Sequence, residues 1–347
     1  MGPAFPSDQR QVSPQWALGL LLHHGLLSPE DALLADPQAE ETSMSHTAFC
    51  VRLGGKPRWY VKRADPVRSQ GRDLGSEATV YRLAVQHPVL FEIAPRCRLI
   101  GEGGNAIVLD AVDGEPLSNL MSPGPDILDA YGSAVASVHS VRCVPFGNRP
   151  WLVEALEPQW GDYNWLPKRS SALLMKLAQS PFYQQAFRRA QVDWRPICLV
   201  HGDLRLSNVL VDRTGEKAGV KLIDWELACV GDPAWDVGSF LADAVGTVAL
   251  VRPLQPSIEN LLSETNVILR GYHRTAKPPL HQWASLIDRS LRLAGVRMIQ
   301  TVIEYDYAVA QDFPKTETSL MPWSTWFISA DNAVVHQVVR ATAGLSA

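Results

Sequence analysis

The stretch Cys198-Leu-Val-His-Gly-Asp-Leu-Arg-Leu-Ser-Asn-Val-Leu-Val-Asp212, followed closely by Val220-Lys-Leu-Ile-Asp-Trp-Glu226, constrains this chain more than any other. Short apolar runs enclose a polar loop. The run Leu199-Val200 delivers His201-Gly-Asp203, the loop passes Arg205 and Ser207, and Asn208 opens the apolar return Val209-Leu210-Val211. A turn at Asp212-Arg-Thr-Gly215 then leads to a second strand, Val220 to Ile223, which ends on Asp224. Polar groups at strand ends and in a loop are held by rigid backbone where a ligand can reach them.

The chemistry that fits is phosphoryl transfer. Asp203 is suited to accept the proton of an attacking hydroxyl, while the amide oxygen of Asn208 and the carboxylate of Asp224 are hard ligands for Mg2+. Asp, then Asn five residues on, then Asp at the end of the next strand is the order of a kinase catalytic loop and its metal-binding Asp. The pattern resembles the kinase-like fold, and specifically the aminoglycoside phosphotransferase and choline kinase family. That family writes the loop as His-Gly-Asp and the metal strand as Ile-Asp-Trp. Gly231-Asp-Pro-Ala-Trp-Asp-Val-Gly238 is similar to its Gly-Asp-Pro-x-x-Asp segment, where Asp236 would brace the catalytic loop by hydrogen bonds.

The resemblance implies an α+β, bilobal, protein-kinase-like fold with a small antiparallel-sheet N-lobe and a larger, mostly helical C-lobe. Residues 1–40 are expected to form an N-terminal helical extension, 41–112 the N-lobe, and 113–347 the C-lobe. A hinge at Asp110 to Leu117 would meet adenine, substrate-side helices would fill 150–195, and the catalytic loop 198–226. Ala48 to Leu53 and Arg58 to Lys62 read as a hairpin across Gly54-Gly-Lys-Pro57. Lys62 then takes the place of the strand lysine that pairs with nucleotide phosphates, with Glu77 on the following helix as its partner in preference to Asp73. No Gly-x-Gly-x-x-Gly precedes Lys62; the Ser-rich turn around Ser43 and Ser45 is the substitute phosphate loop, offering backbone N–H groups. Arg205, two residues after Asp203, stands where many relatives carry His, and its guanidinium suits a transferring phosphate.

Length and composition agree with this reading. The 347 residues suffice for one two-lobed domain or two modest ones. A net charge of −4 gives no basic footprint for nucleic acid. Five scattered cysteines at 50, 97, 143, 198 and 229 form no Cys-x-x-Cys pair, which points to reduced thiols in the cytoplasm; Cys198 and Cys229 read as small buried apolar residues. Trp16 to Leu22 is too short to span a bilayer and reads as a docking helix ending at His23-His24. Ser28-Pro-Glu-Asp31 opens a second helix with a capping Ser and Pro in its first turn.

Beyond the hinge, Ile127, Leu128, Tyr131, Ala134, Val135 and Val138 recur at helical spacing up to His139, a core or helix-end histidine. The interval 150–194 carries Trp151, Trp160, Trp165 and Trp194 among Glu154, Glu157 and Asp162. It reads either as an acceptor pocket or as helical core with a solvated acidic face. Leu291 to Val302 and Trp323 to Ile328 complete a helical C-terminus, with Glu304 and Asp306 as further candidates for ligand contact.

Three functions follow. The first is ATP-dependent transfer of the γ-phosphate to a small-molecule hydroxyl, with Asp203 and Arg205 catalytic, Lys62, Glu77, Ser43 and Ser45 on the nucleotide, and Asn208 and Asp224 on Mg2+. The second is phosphorylation of Ser or Thr in a peptide during ribosomal peptide tailoring. The third is a catalytically silent nucleotide-binding regulator. None involves a membrane or nucleic acid.

Overall fold

A computed structural model describes residues 13–42, 47–64, 74–155, 166–212, 219–308 and 312–344. Ser43, Ser45 and Asp73 lie outside the described residues, as do Glu157, Trp160, Asp162 and Trp165. By contact the chain divides into two units, 1–82 with 95–113 and 83–94 with 114–347.

The first unit is built on a five-stranded antiparallel sheet. Helices α1 (Pro14–His23) and α2 (Pro29–Leu34) precede strands β1 (Gln38–Glu41), β2 (Thr47–Leu53) and β3 (Lys56–Arg63). Helix α3 (Gly75–Gln86) follows; after α4 (Pro88–Ile93), which belongs to the second unit, come β4 (Cys97–Ile100) and β5 (Ala106–Asp110). The strand order is β1-β2-β3-β5-β4. Both N-terminal helices start as their sequences dictate: the hydroxyls of Ser13 and Ser28 accept the N–H groups of Trp16 and Asp31, with Pro in each first turn.

Alternation along the strands sorts this sheet into two faces. Phe49 and Val51, Trp59 and Val61, and Ala106 and Val108 share a core with Ala17, Leu20 and Leu21 of α1. Arg63 stays on that side, its guanidinium 5.1 Å from the Trp16 ring. Lys62, one residue earlier, points to the opposite face. The expected boundary at 40/41 needs correcting, because it cuts β1, which pairs with β2 through Glu41↔Phe49; α1 packs on the sheet, in keeping with a docking helix. The second correction concerns residues 83–94, which group with the helical unit, not with the sheet.

The second unit adds β6 (Gly114–Pro116), α5 (Pro125–His139), α6 (Trp151–Glu154), α7 (Lys168–Ala178) and α8 (Pro181–Val192). Strands β7 (Cys198–Val200), β8 (Val209–Asp212), β9 (Gly219–Leu222) and β10 (Cys229–Gly231) come next, then α9 (Pro233–Val251), α10 (Ile258–Ala276), α11 (Leu280–Ala308), α12 (Phe313–Ser329) and α13 (Asn332–Ala343). The strands form two small antiparallel sheets, β6-β8-β9 and β10-β7. Helix α9 begins where Asp232 caps the Ala234 N–H and Pro233 occupies the first turn, so Gly-Asp-Pro is a helix start written in sequence. This helix is long and apolar enough to cross a membrane, yet 72% of that window is buried inside the protein, where α9 packs on α10, α11 and α12. Cys198 and Cys229 are buried in the β7–β10 ribbon, and burial pushes the Cys229 thiol up to about 12.

Candidate active site

The turn between β7 and β8 owes its shape to a glycine and a buried carboxylate. Gly202 has φ of +86°, and a Cβ there would lie 2.1 Å from the Leu227 carbonyl oxygen, so no other residue fits between His201 and Asp203. Asp236, fully buried in the first turn of α9, accepts the N–H of His201 at 2.7 Å and of Gly202 at 2.9 Å. His139 at the end of α5 bridges Asp236 Oδ2 (3.1 Å) and the Tyr272 hydroxyl (2.8 Å). With a carboxylate on Nε2, that nitrogen carries the proton and Nδ1 accepts from the tyrosine.

His201 joins this turn to the next strand end. Its Nε2 donates to the Ile223 carbonyl at 2.9 Å, and its Nδ1 accepts the Asp203 N–H at 3.3 Å. The Ile223 N–H in turn donates to the Asn208 carbonyl at 3.0 Å, extending the β8–β9 pairing by one residue. Asp203 and Asn208 thus meet at the end of the hairpin where the β9 strand runs on into Asp224. Asp224 itself sits in the left-handed region, φ 67° and ψ 63°, a conformation that Asp tolerates better than most residues.

Asp203 is 5% exposed, and both of its carboxylate oxygens are occupied. Oδ2 accepts from Arg205 Nη2 at 2.7 Å and Nε at 3.1 Å, and from Asn208 Nδ2 at 3.2 Å. Oδ1 accepts from Arg297 Nη2 at 3.0 Å. Burial works against the charge of Asp203, but the Arg297 and Arg205 guanidiniums outweigh it and hold the carboxyl below its ordinary range. Burial likewise works against the Arg205 cation, which Asp203 and Glu304 nevertheless raise above its ordinary value. Asp243, whose Oδ2 accepts the Leu206 N–H at 2.6 Å, is shifted up by burial.

Asn208 Nδ2 also donates to the Asp203 carbonyl at 2.9 Å. Two acceptors on the nitrogen fix the amide's orientation and leave Oδ1 as its outward oxygen. One amide oxygen and one carboxylate make a hard, sparse donor set. Among the described residues no group of three or more His, Cys, Asp or Glu could hold a metal. A two-ligand oxygen site fits Mg2+, which keeps waters and takes phosphate oxygens to complete its shell.

In the first unit, Lys62 Nζ lies 3.0 Å from both carboxylate oxygens of Glu77, which is fully buried on α3. This is the strand-lysine and helix-acid pair that the sequence suggests. A family model described as the phosphotransferase enzyme family matches residues 42–276, more than half of the chain.

The chain belongs to the phosphotransferase enzyme family.

None of the curated proteins matches this family member by sequence. Solved structures do match. An ethanolamine kinase of Plasmodium vivax is 14% identical with a TM-score of 0.59, covering 89% of this chain and 87% of its own. The choline kinase LicA of Streptococcus pneumoniae is 15% identical with a TM-score of 0.51, covering 83% and 95%. The macrolide 2'-phosphotransferase MphH of Brachybacterium faecium is 17% identical with a TM-score of 0.50, covering 87% and 97%. At these identities the likeness establishes the fold, which is kinase-like, with an antiparallel sheet toward the N-terminus and helices toward the C-terminus.

Within this phosphotransferase, sequence reasoning missed Arg297. A cation in the otherwise apolar run Leu293 to Ile299, with Gln300 and Glu304 at helical spacing behind it, was the signal available. Glu304 does reach the site, accepting Arg205 Nη1 at 3.2 Å. Asp306 does not act as expected of a ligand contact: its Oδ2 accepts the Ser170 N–H at 3.1 Å and hydroxyl at 2.7 Å, tying α11 to the first turn of α7. Glu154 pairs with Arg149 at 3.5 Å, and Trp194 packs beside Trp235 and under the Arg149 guanidinium.

Proposed function

We propose that this phosphotransferase moves the terminal phosphoryl group of ATP to the hydroxyl of a small-molecule alcohol. The observation that carries the reading is the Asp203–Asn208 contact at the hairpin end that Asp224 adjoins through Ile223, in a turn held by Asp236. The Lys62–Glu77 pair supports it from the first unit. The names of the fold relatives, an ethanolamine kinase, a choline kinase and a macrolide phosphotransferase, support an alcohol acceptor of small size.

In this reading Asp203 orients the acceptor hydroxyl and receives its proton, and Lys62 pairs with the nucleotide phosphates. Arg205 turns its guanidinium to the transferring group. Asn208 and Asp224 would hold Mg2+, whose contribution when bound is to neutralise charge on phosphate oxygens. Phosphoryl transfer through a loose transition state asks little covalent chemistry of the protein, so orientation and charge carry most of the rate.

The test is the full chain with ATP and Mg2+ against amino alcohols, sugars, aminoglycosides, a macrolide and Ser/Thr peptides, read by ADP release and product mass. Asp203→Asn is expected to lower transfer by roughly 10²–10⁴-fold while nucleotide binding persists. Equal activity of the variant removes Asp203 from this role. Phosphate found only on peptides would replace the small-molecule reading, and nucleotide binding with no turnover on any acceptor would leave a silent regulator.

A further inference from the structure

Helix α11 has no part in the reaction as described so far, yet it reaches the reacting carboxylate. Arg297, Gln300 and Glu304 stand at i, i+3 and i+7, a single polar stripe. Arg297 Nη1 and Nη2 fork onto Glu304 at 3.2 and 3.3 Å, Gln300 Nε2 steadies the same carboxylate at 2.8 Å, and Arg297 Nη2 continues to Asp203 Oδ1 at 3.0 Å.

We infer that Arg297 is a positioning residue: anchored by Glu304, it clamps one oxygen of Asp203 and so dedicates the other, Oδ2, to the acceptor hydroxyl. Arg205 is the exchangeable occupant of Oδ2, where the Asn208 amide stays as a second, weaker donor at 3.2 Å. The inference rests on the role given to Asp203 above.

The two arginines differ in the way such a division of labour requires. The Arg297 side chain is 2% exposed and springs from the middle of a 29-residue helix, whereas that of Arg205 is 39% exposed and springs from a loop. A buried guanidinium needs its carboxylates, since an unpaired charge in that setting is strongly disfavoured, so Arg297 and Asp203 hold each other. Arg205 has a second anchor, Glu304 Oε2, and can release Asp203 without being left unpaired.

The backbone beneath Arg297 is fixed as well. Two residues earlier, Gly295 lies so close to α12 that a Cβ would sit 2.6 Å from Ile328 Cγ1 and 2.8 Å from the Ser324 carbonyl oxygen. Ser324 Oγ donates to the Gly295 carbonyl at 2.9 Å. Position 297 therefore inherits the precision of a close helix contact, as a positioning group needs.

The experiment uses the full chain and an acceptor that the wild type phosphorylates. Arg297→Met is expected to lower kcat by roughly 10²-fold, the scale of a small misplacement of a reacting group, with the nucleotide KM changed less than about twofold. Arg297→Lys should recover part of kcat, and added guanidinium should recover part of the activity of Arg297→Ala. Glu304→Gln, which loosens the clamp while leaving Arg297 in place, serves if Arg297→Met does not fold, and should lower kcat with the same unchanged nucleotide KM. Unaltered kcat in Arg297→Met or, failing that variant, in Glu304→Gln overturns the inference alone. So does parallel loss of kcat and nucleotide binding without rescue by Lys or guanidinium. Absence of turnover by the wild type on every alcohol overturns the reading beneath it, and this inference with it.

Discussion

Asp236 gathers three polar groups on one carboxylate: the N–H groups of His201 and Gly202 and the Nε2 of His139. Replacing it with Ala leaves buried donors without an acceptor, each costing roughly 1–3 kcal/mol. Asp236→Ala is therefore expected to lower the midpoint of urea unfolding clearly and to depress transfer more than nucleotide affinity. An unchanged midpoint would show that water replaces the carboxylate without penalty. At this scale much was legible. His-Gly-Asp, Asn208 and Asp224 are short-range patterns that residue type and spacing pick out, and the Lys62–Glu77 pair, which the family resemblance implies, is formed. Arg297 was not legible, because its partner lies 94 residues away and only tertiary packing brings them together.

Helices and strands were read mostly correctly in kind, less so in what they do. The hairpin of β2 and β3, the helices α3 and α5, and the start of α2 follow from alternation, apolar spacing and capping residues. The role of Asp306 did not follow, since an acid near a helix end reads alike as ligand contact or as cap until the neighbouring helix is placed. That placement depends on glycine contacts such as the one between α11 and α12. Gly295→Ala puts a methyl against backbone and a branched side chain, so the helices must part. The expected cost is about 1–3 kcal/mol, measured by thermal or urea unfolding, with a fall in kcat because Arg297 moves with the helix. A variant as stable and as fast as the wild type would contradict both the contact and its consequence.

The two units are not contiguous in sequence, and the discontinuity was invisible to pattern reading. Helix α4 packs on α5 and β9, and Lys221 Nζ donates to the Glu92 carbonyl, so residues 83–94 complete the helical unit. A fragment that begins at Gly114 lacks this cover, whereas one that begins at Leu83 keeps it. The shorter fragment is expected to unfold at lower temperature or to aggregate, and equal melting of both would show that α4 contributes nothing there. Finally, α11 holds the clamp on Asp203 at 297 and 304 and, at 306, the tie to the start of α7. A single stiff rod thus links the Asp203 carboxylate to a helix on the expected acceptor side. If the proposed function holds, choosiness among alcohols is then expressed as speed of turnover, not only as tightness of binding.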